Sequence, residues 1–168
     1  AIADDELNKK IVSALGDNTM WVLIGGPPCQ AYSVVGRSRR QDIFLDEKKD
    51  EKVGLYKQYL KILAVHQPPV FVMENVKGLL SAKTVENRIF SKLISDLSDP
   101  CKSLNNKNYE IKSENSRPEY RIYSLVREPK GIDLIGRPIY NPSDFIIQTE
   151  KYGIPQTRHR LILLGIRN

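Results

Sequence analysis

Leu7, Ile11, Ala14 and Leu15 recur at helical spacing behind Asp4, a residue type that caps helix starts. Gly16 follows as a stop, so the chain opens with a surface helix. Met20 to Ile24 is an apolar run too short for a helix and closed by Gly25-Gly26-Pro27-Pro28, which predicts a buried parallel strand ending in a tight loop. Arg37 to Lys52 is polar, basic and aperiodic and reads as a mobile loop. Leu55, Tyr59, Ile62 and Leu63 then mark a second amphipathic helix, ended by Pro68-Pro69. Val70 to Met73 predicts a second buried strand closed by Glu74-Asn75, and Val85, Ile89, Phe90, Leu93, Ile94 and Leu97 stripe a third helix.

Beyond this point the apolar signal thins. Asp99 to Pro118 is rich in Lys, Asn, Ser and Glu and predicts a long exposed excursion. Tyr120 to Val126 and Arg160 to Ile166 are strand-like, and the segment 128–145 between them, punctuated by Pro129, Gly131, Gly136, Pro138 and Pro142, predicts an inserted loop or small hairpin. The order of elements predicts an α/β sheet whose first strands are parallel, within one domain covering 1–168. Active sites in such sheets lie at the carboxyl ends of strands, where both Cys29 and Glu74 fall.

Composition sharpens this only modestly. The net charge of +6 suits a polyanionic partner without demanding one. Two cysteines, Cys29 and Cys101, form neither a disulfide framework nor a zinc-binding pattern, which predicts reduced thiols and no metal. No apolar run approaches the roughly 20 residues of a bilayer crossing, and the start of the chain carries acids rather than a basic leader, so the expected location is cytoplasmic or nucleoid-associated, or nuclear in a eukaryote.

Three short segments carry chemistry. In Gly26-Pro27-Pro28-Cys29-Gln30 two prolines fix the backbone and present the thiol in one direction. Glu74 follows four apolar residues, so the sheet is expected to hold a carboxyl group at the edge of a dry region, where desolvation favours the proton-bearing acid. In Gln156-Thr157-Arg158-His159-Arg160, strand alternation puts Arg158 and Arg160 on one side and His159 on the other. Guanidinium groups suit carbonyl oxygens and phosphates, because their donors lie in a rigid plane. His159 is not read as catalytic, and His66, at a helix end, is read as a surface residue.

Gly-Pro-Pro-Cys-Gln with Tyr32-Ser33 behind it, then Glu74-Asn75-Val76, then Tyr152-Gly153-Ile154-Pro155 leading into Gln-x-Arg-x-Arg, resembles in content and order the cytosine-5 DNA methyltransferase family. Gly54-Leu55-Tyr56 resembles a fourth, weaker family motif. The resemblance implies a Rossmann-like S-adenosylmethionine-dependent methyltransferase fold, here partial, with parallel strands and a final antiparallel strand pair. It further implies double-stranded DNA as partner, base flipping and no membrane.

By the same resemblance Cys29 is the nucleophile toward cytosine carbon 6 and Glu74 the acid at N3 and the exocyclic amine. Arg160 is the group at O2, and Arg158 lies close to the DNA backbone and the nucleophile. Asn75 and Gln156 are supporting residues, with Asn75 bracing the Pro-Cys loop. Pro28 and Leu55 match positions bordering the cofactor, and Gln30, Ser33, Arg37, Arg39 and Arg40 are expected on phosphates around the extruded nucleotide. Nothing before Trp21 matches the family's glycine-rich cofactor motif. This polypeptide alone is therefore expected to transfer no methyl group, and a homodimer or a complementary chain carrying the cofactor-binding half is expected as a partner. Two readings stay open beside the DNA enzyme: a tRNA cytosine-5 methyltransferase, and an inactive fragment or split-enzyme subunit that only binds DNA or a partner chain.

Overall fold

A computed structural model describes residues 4–28, 51–80, 86–104 and 117–168, with the backbone alone for 4, 51–54 and 86–89. Helix α1 (Asp4–Leu15) ends at Gly16, whose φ of +53° lets the Gly16 N–H close on the Val12 carbonyl at 3.0 Å. Strand β1 (Val22–Gly25) leads to helix α2 (Glu51–His66), and strand β2 (Val70–Val76) leads through a 3-10 turn to helix α3 (Glu86–Ser98). Helix α4 (Pro100–Leu104) and strand β3 (Tyr120–Tyr123) follow. A hairpin of β4 (Gly131–Ile132) and β5 (Pro138–Ile139) precedes β6 (Ile146–Gln148) and the long β7 (His159–Arg167).

The main sheet runs β1-β2-β7-β3, with β6 also paired to β7. Strands β1 and β2 are parallel, while β7 is antiparallel to β2, β3 and β6, so β1, β2 and β3 share one direction with β7 inserted against it. This is an α/β sheet with the expected parallel start and antiparallel β3–β7 pair.

Register and the two-residue alternation of strands assign each side chain to a face. Leu23, Phe71, Met73, Asn75, Leu161, Leu163, Tyr120 and Ile122 share one face. There they meet Tyr56, Tyr59, Leu60 and Leu63 of α2 and Phe90, Leu93 and Leu97 of α3 in one buried cluster. Phe71 sits edge-on to both Tyr59 and Tyr120, with ring centres 6.1 and 5.1 Å away. Each such large side chain removed from water contributes about 1.5–3 kcal/mol. A Cβ on Gly165 would overlap the Phe71 ring, so only glycine fits at that point of β7. Burial pushes the Tyr59 and Tyr120 phenols upward; Tyr59 donates to the Val72 carbonyl at 3.3 Å and Tyr120 to the Pro68 carbonyl at 3.1 Å.

Several expectations need correction. β1 is not buried on both faces: Val22 is 52% and Ile24 76% exposed, because no described element covers their side of the sheet. β2 does not stop before Glu74, since β7 pairs with it through Val76, and Glu74 and Asn75 lie within the strand. The excursion from Asp99 begins instead as a helix, with Asp99 capping the Lys102 N–H at 2.9 Å and Pro100 and Cys101 buried. β3 ends at Tyr123, where the Ser124 hydroxyl takes over the Val126 and Arg127 N–H groups. His66 is half-buried, and its Nε2 lies 2.9 Å from Asn8 Oδ1, which ties α1 to α2. Val85 and residues 105–116 lie outside the described residues.

Candidate active site

The carboxyl end of β2 and the start of β7 bring together residues more than eighty positions apart. Val76 pairs with Arg160 and Glu74 with Ile162, so Glu74 and Arg160 project from the same face, one step apart on adjacent strands. Their side chains meet: Arg160 Nε lies 2.8 Å from Glu74 Oε1. The contact is an ion pair and not a hydrogen bond, since the buried Arg160 Nε–H has no hydrogen-bond partner; the guanidinium orientation is fixed by a bond from Nη1 to the His159 carbonyl at 2.9 Å. The other carboxylate oxygen, Oε2, lies over Gly26, where an added Cβ would approach it to 2.9 Å. Glu74 is thus held between β7 and the loop that follows β1, and a Cβ at Gly26 would push its carboxylate aside.

Asn75, one residue on, points to the buried face and donates from Nδ2 to the Pro27 carbonyl at 3.1 Å. Its Oδ1 accepts the Val76 N–H at 2.9 Å. Pro27 is buried and Pro28 half-buried, so the last described residues before Cys29 are anchored to the strand that carries Glu74. Cys29, Gln30, Ser33, Arg37, Arg39 and Arg40 lie outside the described residues.

The expectation of a dry setting for Glu74 is corrected: its side chain is 43% exposed and ion-paired. Arg158 and Gln156 occupy the exposed turn before β7, with the Arg158 side chain open to solvent. Leu55 is 53% exposed near the start of α2, which turns Tyr56, Tyr59 and Leu60 inward instead. Nothing described places Leu55 beside Glu74 or Arg160.

Sequence reading overlooked the contacts that hold the arginine turn. His159 Nε2 lies 2.6 Å from Glu150 Oε1 and its Nδ1 lies 3.3 Å from Lys77 Nζ. The hydrogen bond from His159 holds the Glu150 carboxyl below its ordinary range. Thr149 Oγ1 accepts the Arg158 N–H at 3.0 Å. A hydroxyl residue ahead of the Gly-Ile-Pro turn was the available signal, since Ser and Thr often bond to nearby backbone. Cys101 is a free buried thiol held above its ordinary range by desolvation and by Asp99. Among the described residues no group of three His, Cys, Asp or Glu could hold a metal, and no helix is long and apolar enough to cross a membrane.

An α/β sheet of this topology with Glu-Asn-Val on one central strand and Arg-x-Arg entering its antiparallel neighbour defines a class. The family model of C-5 cytosine-specific DNA methylases matches residues 4–114, and the chain belongs to that family. It is 32% identical over 146 residues to the type II methyltransferase M.Bpa9945I of Bacillus paralicheniformis, a match spanning 87% of this chain and 25% of that protein. It is 28% identical to the type II methyltransferase M.XorII of Xanthomonas oryzae pv. oryzae, over 99% of this chain and 28% of that protein. With M1.HphI of Haemophilus parahaemolyticus the identity is 31%, over 98% of this chain and 31% of that protein. The chain therefore spans between a quarter and a third of the length of these relatives.

Proposed function

We propose that this chain is the catalytic part of a DNA (cytosine-5-)-methyltransferase acting in restriction-modification. The observation that carries the reading is the Glu74 carboxylate held between the Arg160 guanidinium and Gly26 of the Gly-Pro-Pro-Cys loop. Cytosine presents O2, N3 and its exocyclic amine in a row along one edge. Arg160 donates to O2, while Glu74, which takes up a proton from solvent as the base parts it from Arg160, passes that proton to N3 and accepts from the amine. Without a base the two side chains face each other, and an entering pyrimidine exchanges each partner for a ring atom. The exchange costs little, because a half-exposed ion pair is worth only about 0–1 kcal/mol.

Protonation at N3 draws electrons from the ring, so the Cys29 thiolate adds at carbon 6 and carbon 5 becomes nucleophilic. S-adenosylmethionine, when bound, supplies the methyl group that carbon 5 takes up. Loss of the carbon 5 proton and departure of the thiolate then restore the aromatic ring. The described residues offer this cofactor one wall at most, Pro28 and Leu55, and no cradle for ribose or adenine. A stacked base hides carbon 6, so the target leaves the helix first. Gln30, Ser33, Arg37, Arg39, Arg40 and Arg158 hold phosphates around the extruded nucleotide, while Gln156 and Asn75 support the two loops.

The family model is named for DNA, which favours DNA over tRNA. The decisive measurement is covalent capture of a duplex bearing 5-fluorocytosine by a complete enzyme containing this segment. Cys29→Ala should retain DNA binding and lose the adduct, and an undiminished adduct would remove Cys29 from the role of nucleophile.

A further inference from the structure

Thr149 commits all its polar groups to the five residues before β7. Its hydroxyl donates to the Gln156 carbonyl at 2.5 Å and accepts the Arg158 N–H at 3.0 Å. Its backbone N–H donates to the Arg158 carbonyl at 3.3 Å, and its own carbonyl accepts the Ile154 N–H at 3.3 Å. The turn so gripped contains Gly153, whose φ of +77° reverses the chain, and Pro155.

Glu150 makes a second connection. With the Lys77 ammonium donating to His159 Nδ1, the imidazole carries its own proton on Nε2 and donates it to Glu150. Lys77 directly follows β2, so the Glu150–His159–Lys77 chain joins the strand end bearing Glu74 to the strand start bearing Arg160. The His159 imidazole lies on the opposite side of β7 from Arg160, so these three side chains act from beneath the sheet, while the His159 carbonyl accepts from Arg160 Nη1.

We propose that Thr149 and Glu150 form a positioning clamp. Thr149 fixes the backbone of Arg158, and Glu150, through His159, locks the start of β7 against the end of β2, so that Arg160 meets Glu74 in register. The inference rests on the reading that Arg160 and Glu74 receive the cytosine edge, although its test does not depend on methyl transfer.

Hydrogen exchange followed by NMR in the chain itself tests it. Arg160 Nε–H, buried beside Glu74, should exchange slowly, and Thr149→Val should accelerate it roughly five- to thirtyfold, the equivalent of losing the one or two hydrogen bonds that Thr149 Oγ1 makes. The amides of Leu161 and Leu163 should keep their protection, and Thr149→Ser should restore the slow rate at Arg160. Should Thr149→Val fold poorly, the exposed Glu150→Ala variant removes the acceptor of the imidazole N–H and should accelerate Arg160 a few-fold. Three results would overturn the clamp: an Arg160 Nε–H unprotected in the parent chain, one unaffected by both variants, or a uniform loss of protection across the sheet, which marks a merely structural role. A working clamp in a complete enzyme unable to capture 5-fluorocytosine would instead remove the catalytic reading and leave the clamp standing.

Discussion

The two faces of the main sheet are built from the same strands and treated very differently. On one, Phe71, Leu161 and Leu163 are fully buried under α2 and α3. On the other, Val22, Ile24, Val76 and Ile166 are each more than 40% exposed, although their side chains are as apolar as those opposite. Sheets of parallel strands are ordinarily covered on both sides, so apolar alternation alone does not reveal which face a given stretch of chain covers. The open face also carries Glu74 and Arg160. Chemistry and incompleteness thus share one side of the molecule, and stability resides on the other.

The contrast can be broken most forcefully at neighbouring positions of β7. Leu163→Ala, on the covered face, should cost about 2–5 kcal/mol of unfolding free energy in urea titrations, whereas Leu164→Ala, one residue on and half-exposed, should cost less than about 1 kcal/mol. Equal losses at both would mean that the open face is covered in solution. Gly165→Ala should follow at roughly 1–3 kcal/mol, because its methyl group must displace the Phe71 ring. Paired Val22→Lys and Ile24→Lys substitutions should change unfolding by no more than about 0.5 kcal/mol each. The same variant should reduce self-association in light scattering, since exposed apolar patches promote it; unaltered scattering would argue against a sticky open face.

The smallest effect is a pH dependence at the α1–α2 contact. Burial lowers the His66 pKa below its ordinary 6.5, so the fold favours neutral imidazole. Stability is unaffected well above that value and declines as pH falls below it, because the unfolded chain takes up the proton more readily. Comparing midpoints at pH 7.5 and 5.5, His66→Gln should flatten this decline. An unchanged slope would show that the Asn8 contact is not pH-linked.

Much of this was legible from the residues. Periodicity located α1, β1, α2, β2 and α3, because each carries a stripe or run of apolar positions that local spacing encodes. The relation between Glu74-Asn75-Val76 and Gln-x-Arg-x-Arg came from motif content and order, yet their contact depends on β7 inserting beside β2, a long-range pairing that no local pattern specifies. The length of β2 was misjudged for the same reason: Glu74 and Asn75 look like a strand end until a neighbouring strand supplies their hydrogen bonds. α4 was missed because Pro100 and Cys101 bury against α2 from a segment whose composition is polar. The Thr149 grip and the His159 bridge were invisible because they involve backbone and surface partners up to 82 positions apart.

β7 lies between β2 and β3 yet is the last described element in the chain. During synthesis the ribosome must deliver the chain through β7 before the central slot of the sheet can be filled. Until then β2 and β3 have no common neighbour to join them, and Glu74 waits without Arg160. A nascent chain paused before residue 159 should therefore remain a substrate for chaperones, whatever helices it has already formed.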